Sequence, residues 1–235
     1  MKDILYFDME WVPLAPDLNK LSETHPEHFQ AWQRRCEKWK KQDKYTDLTN
    51  EEIFDKHGGF FPEFIQIICI SAGYWKTKND KTVFAKDSFY GDDEKEVLEN
   101  FANLLSKTAG KYSLCGHSIK RFDMPYLAKR MAVHGIKIPW DLNNGKKKPW
   151  EIDAIDIAEE WGFGCNAEKF TPLDWICVSL GVPTPKNDIS GDKVKDAYWV
   201  EDRLEEIKDY CEADIKATAL VHKKILSVTE GNFDI

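Results

Sequence analysis

The chain has 235 residues, a formal net charge of −8 and a hydrophobic fraction of 42%, with 13 Phe, 9 Trp and 8 Tyr. That is enough for one large domain or two small ones with a substantial core. No run approaches the roughly 18 apolar residues of a membrane span, and the acidic balance argues against strong non-specific duplex binding, which phosphate neutralisation drives.

Six cysteines without a CxxC pair, in a chain too large for a stapled scaffold, predict reduced thiols and a cytoplasmic setting. The chain opens directly on a strand pattern, with no basic-then-apolar leader. An acidic protein still accommodates anionic partners where bound cations reverse the local sign.

The first strand is predicted over 3–9. In "ILYFDMEW" (4–11) alternate side chains share a face. Ile4, Tyr6, Asp8 and Glu10 therefore line up, with Leu5, Phe7 and Met9 opposite. Apolar residues on both faces mark a central strand of a covered sheet. Asp8 and Glu10 then stand roughly 6.6 Å apart at its end and repel each other.

Residues 13–62 interrupt the pattern with charge and tryptophan, and are expected as a helical insertion. "HFQAWQRRCEKWKK" (28–41) places Phe29, Trp32, Cys36 and Trp39 on one apolar stripe, with Arg34, Lys38 and Lys41 on another face. That basic face is read as the solvated back of a buttress helix, or as a surface that steers nucleic acid.

Further strands are predicted at 63–75, 81–86 and 112–118. Helices are predicted at 92–107, which opens with acids at the positive end of its dipole, and at 124–135. Two more follow at 171–181 and 202–228, the first running from Thr-Pro to Gly. "NNGKKKP" (143–149) reads as a surface loop. Strands alternating with helices give an α/β fold, a sheet flanked by helices, organised as one domain over 1–235.

Two further acids stand out. The core-facing stripe of the last helix runs Leu204, Ile207, Cys211, Asp214, Thr218, Val221, Ile225, Val228. Asp214 is its one charged member, costly to bury unless paired. Tyr210 flanks the same spot one turn earlier. In "CGHSIKRFDMPYL" (115–127) Asp123 precedes Met-Pro at a helix start, as an N-cap, as a ligand, or as both. Asp8, Glu10, Asp123 and Asp214 together form an all-oxygen set suited to Mg²⁺ or Mn²⁺ rather than Zn²⁺. Two such ions about 4 Å apart clamp the attacking and leaving oxygens of a phosphodiester.

The order DxE, HSxxxFD, YxxxD resembles the three motifs of the DEDD superfamily of 3′–5′ exonucleases, in its tyrosine-bearing branch. It looks most like the bacterial group related to the exonuclease domain of family B DNA polymerases. "GVPTPKNDISGDKV" (181–194) before "IKDYCEADI" (207–215) looks like that group's C-terminal signature. The resemblance covers residues 1–12 and about 63–228.

The resemblance implies an RNase H-like mixed sheet and a two-ion mechanism that removes 5′-mononucleotides from single-stranded 3′ ends, DNA favoured. It implies Asp8, Glu10 and Asp214 at the first ion, Asp8 and Asp123 at the second, and Tyr210 orienting the attacking water. Ser118 stands where the group usually carries Asn, and its single hydroxyl offers fewer hydrogen bonds to a terminal nucleotide than an amide would. His117, Ser118, Phe122, Lys186 and Trp11 are the candidate substrate contacts, Trp11 by stacking on a base.

"GFGCNA" (162–167) matches a dinucleotide fingerprint but follows a helix-like segment where a strand is required. No dinucleotide cofactor is therefore expected. Asp153, Asp156, Glu159 and Glu160 read as the start of a helix on a solvated face, and Cys115 and His117 as structural. Two rivals stay open: a catalytically silent nucleic-acid-binding or adaptor module, and an oligoribonuclease-like RNA exonuclease. A protein partner that supplies affinity is compatible with each reading.

Overall fold

A computed structural model describes residues 3–79, 81–165, 171–185 and 189–230. Its centre is a five-stranded mixed sheet in the order β3-β2-β1-β4-β5. The strands are β1 (Asp3–Pro13), β2 (Ile65–Lys78), β3 (Lys81–Tyr90), β4 (Tyr112–Gly116) and β5 (Ala154–Asp156). β2 runs antiparallel to both β1 and β3. β4 runs parallel to β1 and to β5. The α/β sheet flanked by helices is the expected architecture.

β1 lies at the middle of the sheet, and its alternation sorts its side chains as predicted. Leu5, Phe7 and Met9 enter a core with α4 (Glu94–Thr108) and α5 (Asp123–Val133). Ile4 and Tyr6 face α6 (Ile157–Trp161), α7 (Leu173–Leu180) and α9 (Leu204–Thr229). Each fully buried aliphatic or aromatic side chain stabilises by about 1.5–3 kcal/mol.

The insertion holds α1 (Leu18–Thr24), α2 (Pro26–Trp39) and α3 (Asn50–His57). The predicted stripe of α2 buries Trp32 and Cys36 in a satellite core, with Phe29 and Trp39 partly covered. Arg34, Lys38 and Lys41 are exposed. The end of the insertion is bolted to the main body. Gly59 O accepts from Trp11 Nε1 at 2.7 Å, Phe60 O from the Tyr126 hydroxyl at 2.7 Å, and Pro62 O from Arg130 Nη1 at 3.1 Å.

Among the α-helices and strands, α1, α3, β5 and α8 (Val194–Trp199) fall outside the individually predicted elements. β5 corrects the acidic segment around 153–160. Asp156 is buried rather than solvated, ends β5 and caps α6 through Ala158 N–H at 3.1 Å. Val228 is 73% exposed, so the buried stripe of α9 ends before it. "GFGC" follows α6, and the rest of that motif (166–167) lies outside the described residues, as does Lys186. Among the described residues no helix is long and apolar enough to cross a membrane.

Candidate active site

The site forms where β1 parts from β4. Their pairing runs from Asp3–Tyr112 to Tyr6–Cys115. Beyond it the chain leaves β4 through Gly116, and a crevice opens at the carboxyl ends of the parallel strands, where open α/β sheets place ligands. A Cβ at Gly116 would stand 2.7 Å from Phe7 O and 2.2 Å from Ile119 Cγ2, so only glycine lets the turn approach β1 this closely.

His117 and Ser118 follow, and Ser118 adopts the left-handed region at φ 61°. Asp156 holds this turn, accepting from Ser118 N–H at 2.8 Å and Lys120 N–H at 3.0 Å.

Between Glu10 and Trp11 the β1–β2 register shifts by one residue. Such bulges re-aim side chains beside sites. The N–H of Ile67 in this stretch is taken by the Glu94 carboxylate at 2.8 Å, itself buried in a pair with Arg130 at 2.6 Å. β1 runs on to Pro13, paired with β2, so the acids do not end the strand as expected; Asp8 is half-buried and Glu10 buried in the part of β1 beyond its β4 pairing.

α5 brings Asp123. Its carboxylate accepts from its own N–H and from Met9 N–H, the residue between Asp8 and Glu10. The cap expectation is corrected: Phe122 occupies the N-cap position, and Asp123 is the first helical residue. α9 brings Tyr210 and Asp214, which hydrogen-bond to each other. Two contacts fix its register on β1: the Tyr6 hydroxyl meets His222 Nδ1 at 3.0 Å, and Cys211 Sγ donates to Asp8 O at 3.5 Å.

Electrostatically the site is overloaded with acid. Burial raises the Asp8 and Glu10 carboxyls well above their ordinary range, and neighbouring carboxylates add to it: Asp123 and Asp214 on Asp8, Asp8 and Asp214 on Glu10. Burial pushes Asp123 and Asp214 up to about 7. Asp123 Oδ1 and Asp214 Oδ1 are buried with no hydrogen-bond partner. Orphaned, mutually repelling carboxylate oxygens fit hard divalent ions.

Beside the acids lies a cleft of about 600 Å³ lined by Asp8, His117, Asp174, Lys193, Tyr210 and Asp214, among others. His117 Nε2 donates to Thr171 O at 2.9 Å, and burial lowers the imidazole's pKa. Its Nδ1 is thereby left as an acceptor. Burial, then the Asp214 charge, holds the Tyr210 phenol protonated.

Of the other predicted substrate contacts, Trp11 is turned toward Gly59 and packs edge-on against Tyr126 with centroids 5.5 Å apart. Phe122 meets the same Tyr126 ring at 6.0 Å. Ser118 is 9% exposed. None of these three is among the residues lining the cleft. Lys193, Asp174 and Asp156 join the site only in the folded protein and are not among the site residues expected from the sequence. The Thr-Pro start of α7, two residues before Asp174, was a readable signal for that wall.

The family model for predicted 3′–5′ exonucleases related to the exonuclease domain of PolB matches residues 60–235. No curated protein matches the chain. The chain is similar in fold to the family B DNA polymerase of the hyperthermophilic archaeon Pyrobaculum calidifontis, with a TM-score of 0.58 and 16% identity. The similarity covers 97% of this chain and 26% of the polymerase.

Proposed function

Since the chain belongs to the family of predicted 3′–5′ exonucleases related to the exonuclease domain of PolB, we propose that it hydrolyses phosphodiester bonds at the 3′ end of single-stranded nucleic acid. DNA is the favoured strand, and the products are 5′-mononucleotides. The observation that carries this reading is the convergence of Asp8, Glu10, Asp123 and Asp214, with buried unpartnered oxygens on Asp123 and Asp214.

These four carboxylates would hold two Mg²⁺ or Mn²⁺ ions, whose charge would stabilise the attacking and departing oxygens. The remaining work falls to other side chains. Tyr210 stays a neutral phenol and orients the attacking water through its hydroxyl. Its bond to Asp214 fixes the ring. His117 Nδ1 presents an acceptor suited to a sugar hydroxyl, and Lys193 brings a cation to a cleft of otherwise acidic character, suited to a phosphate. Asp156 positions the His117–Ser118 turn from beneath.

The bolts from Gly59, Phe60 and Pro62 to Trp11, Tyr126 and Arg130 support reading the insertion and the sheet as one domain. Product analysis tests the reaction: incubation of a 3′-hydroxyl single strand with Mn²⁺ should yield nucleoside 5′-monophosphates. Nucleoside 3′-monophosphates, or internal fragments alone, would contradict it.

A further inference from the structure

The carboxylates of β1 share their corner with sulfur. Cys211, fully buried on α9, places Sγ 3.6 Å from Asp8 Oδ2 and 3.5 Å from Asp8 O. One ligand atom each from Asp8, Glu10 and Cys211 lies within 4.8 Å of the others. A second thiol lies next to it. Cys69, paired with Glu10 across β1 and β2, hydrogen-bonds Cys211. Asp123, 4% exposed, adds the buried Oδ1 without a partner, and its charge bears on both Asp8 and Glu10.

Geometry and ligand chemistry agree on what this corner suits. Zinc–sulfur and zinc–oxygen bonds of about 2.3 and 2.0–2.2 Å at a tetrahedral angle put sulfur and oxygen about 3.6 Å apart. Cys211 Sγ and Asp8 Oδ2 already stand at 3.6 Å. Hard ions such as Mg²⁺ ignore thiolate, whereas Zn²⁺ takes mixed sulfur and oxygen sets. We propose that Cys211 is a metal ligand, and that Asp8, Glu10 and Cys211 form a Zn²⁺ site overlapping the all-oxygen one. The inference rests on the proposed metal site and deepens it. Zn²⁺ binding displaces the thiol proton to solvent and occupies Asp8 and Glu10, so it competes with the hard ions. Zinc would act as an inhibitor held by a residue that Mg²⁺ does not use.

Co²⁺, which reports thiolate ligation by its absorption, is the first probe, on wild-type protein. A sulfur-to-cobalt charge-transfer band is expected. It should vanish in Cys211→Ser, Cys211→Ala and Asp8→Asn, and persist in Cys69→Ser and in Cys165→Ser, an exposed thiol elsewhere. Calorimetry should show Zn²⁺ affinity falling at least about 10-fold in Cys211→Ser.

Wild-type protein that binds Co²⁺ without the band overturns the thiol ligand and needs no variant to do so. Loss of the band in Cys69→Ser but not in the Cys211 variants overturns the assignment equally. Mn²⁺ titration separates the two claims. Mn²⁺ bound by wild type but not by Asp8→Asn leaves the carboxylate site standing when the thiol fails. Mn²⁺ bound by neither removes both.

Discussion

Asp123, the first residue of α5, takes the N–H of Met9, the residue that separates Asp8 from Glu10 in β1. That bond ties a helix start to the stretch of β1 that has just lost its β4 neighbour. It explains how acids 113 and 115 positions apart in sequence act on one another.

The first prediction follows from crowding. Asp8→Asn should lower metal-dependent cleavage at least about 10³-fold, since it removes charge that neutral amides cannot replace. In chelator at pH 8 the same variant should melt higher than wild type, because one of the repelling carboxylates is gone. A lower melting temperature would mean that Asp8 is structurally paired, and would count against the site.

The pH dependence has a definite sign. Asp123 and Asp214 have carboxyls near 7 in the folded protein, against about 3.9 unfolded. A raised carboxyl contributes stability that is fully present below about 4 and lost as pH rises through about 7. The metal-free protein should therefore lose about 10–20 °C of melting temperature between pH 5 and 8. Mn²⁺ should raise the melting temperature more at pH 8 than at pH 5.5, where protons compete for the same oxygens. Calorimetric melts with and without EDTA decide it. A metal-induced shift that is larger at pH 5.5 would refute the assignment.

Tyr210→Phe removes a hydroxyl and keeps the ring. We expect kcat to fall about 10- to 100-fold with KM little changed, the pattern of an interaction made in the transition state. An altered KM with unchanged kcat would place Tyr210 in ground-state binding instead.

Ser118 sits at φ 61°, where asparagine is better tolerated than serine. Ser118→Asn should raise stability by up to about 1 kcal/mol and leave the metal requirement intact. Asp156→Ala should do the reverse, by about 2–4 kcal/mol, because it strands the buried N–H of Ser118 and the part-buried N–H of Lys120. Urea denaturation of both variants is the check.

Much of this was legible in the sequence because the signals were periodic. The two-residue period of 4–9 located the central strand and its two faces. The three-and-four spacing of the last helix singled out Asp214 by its cost. What was not legible is what depends on contacts distant in sequence. β5 is three residues long and too short for a period. Asp156 reads as surface acid until the 116–118 turn is laid on it. The helices of the insertion beyond α2 are short, and their apolar residues matter only against Trp32 and one another. Cys211 was visible as an apolar stripe member, and its sulfur chemistry emerges only with Asp8 beside it.

In the proposed function these carboxylates run a metal-dependent 3′–5′ exonuclease. The most direct measurement is digestion of 3′- and 5′-labelled single-stranded DNA and RNA in Mn²⁺, Mg²⁺ or EDTA, with Asp8→Asn run alongside and products resolved on a gel. A ladder shortening from the 3′ end is expected in either metal, absent in EDTA and in the variant, and faster on DNA. Tight strand binding without cleavage in either metal would contradict it and make the protein a catalytically silent binding module.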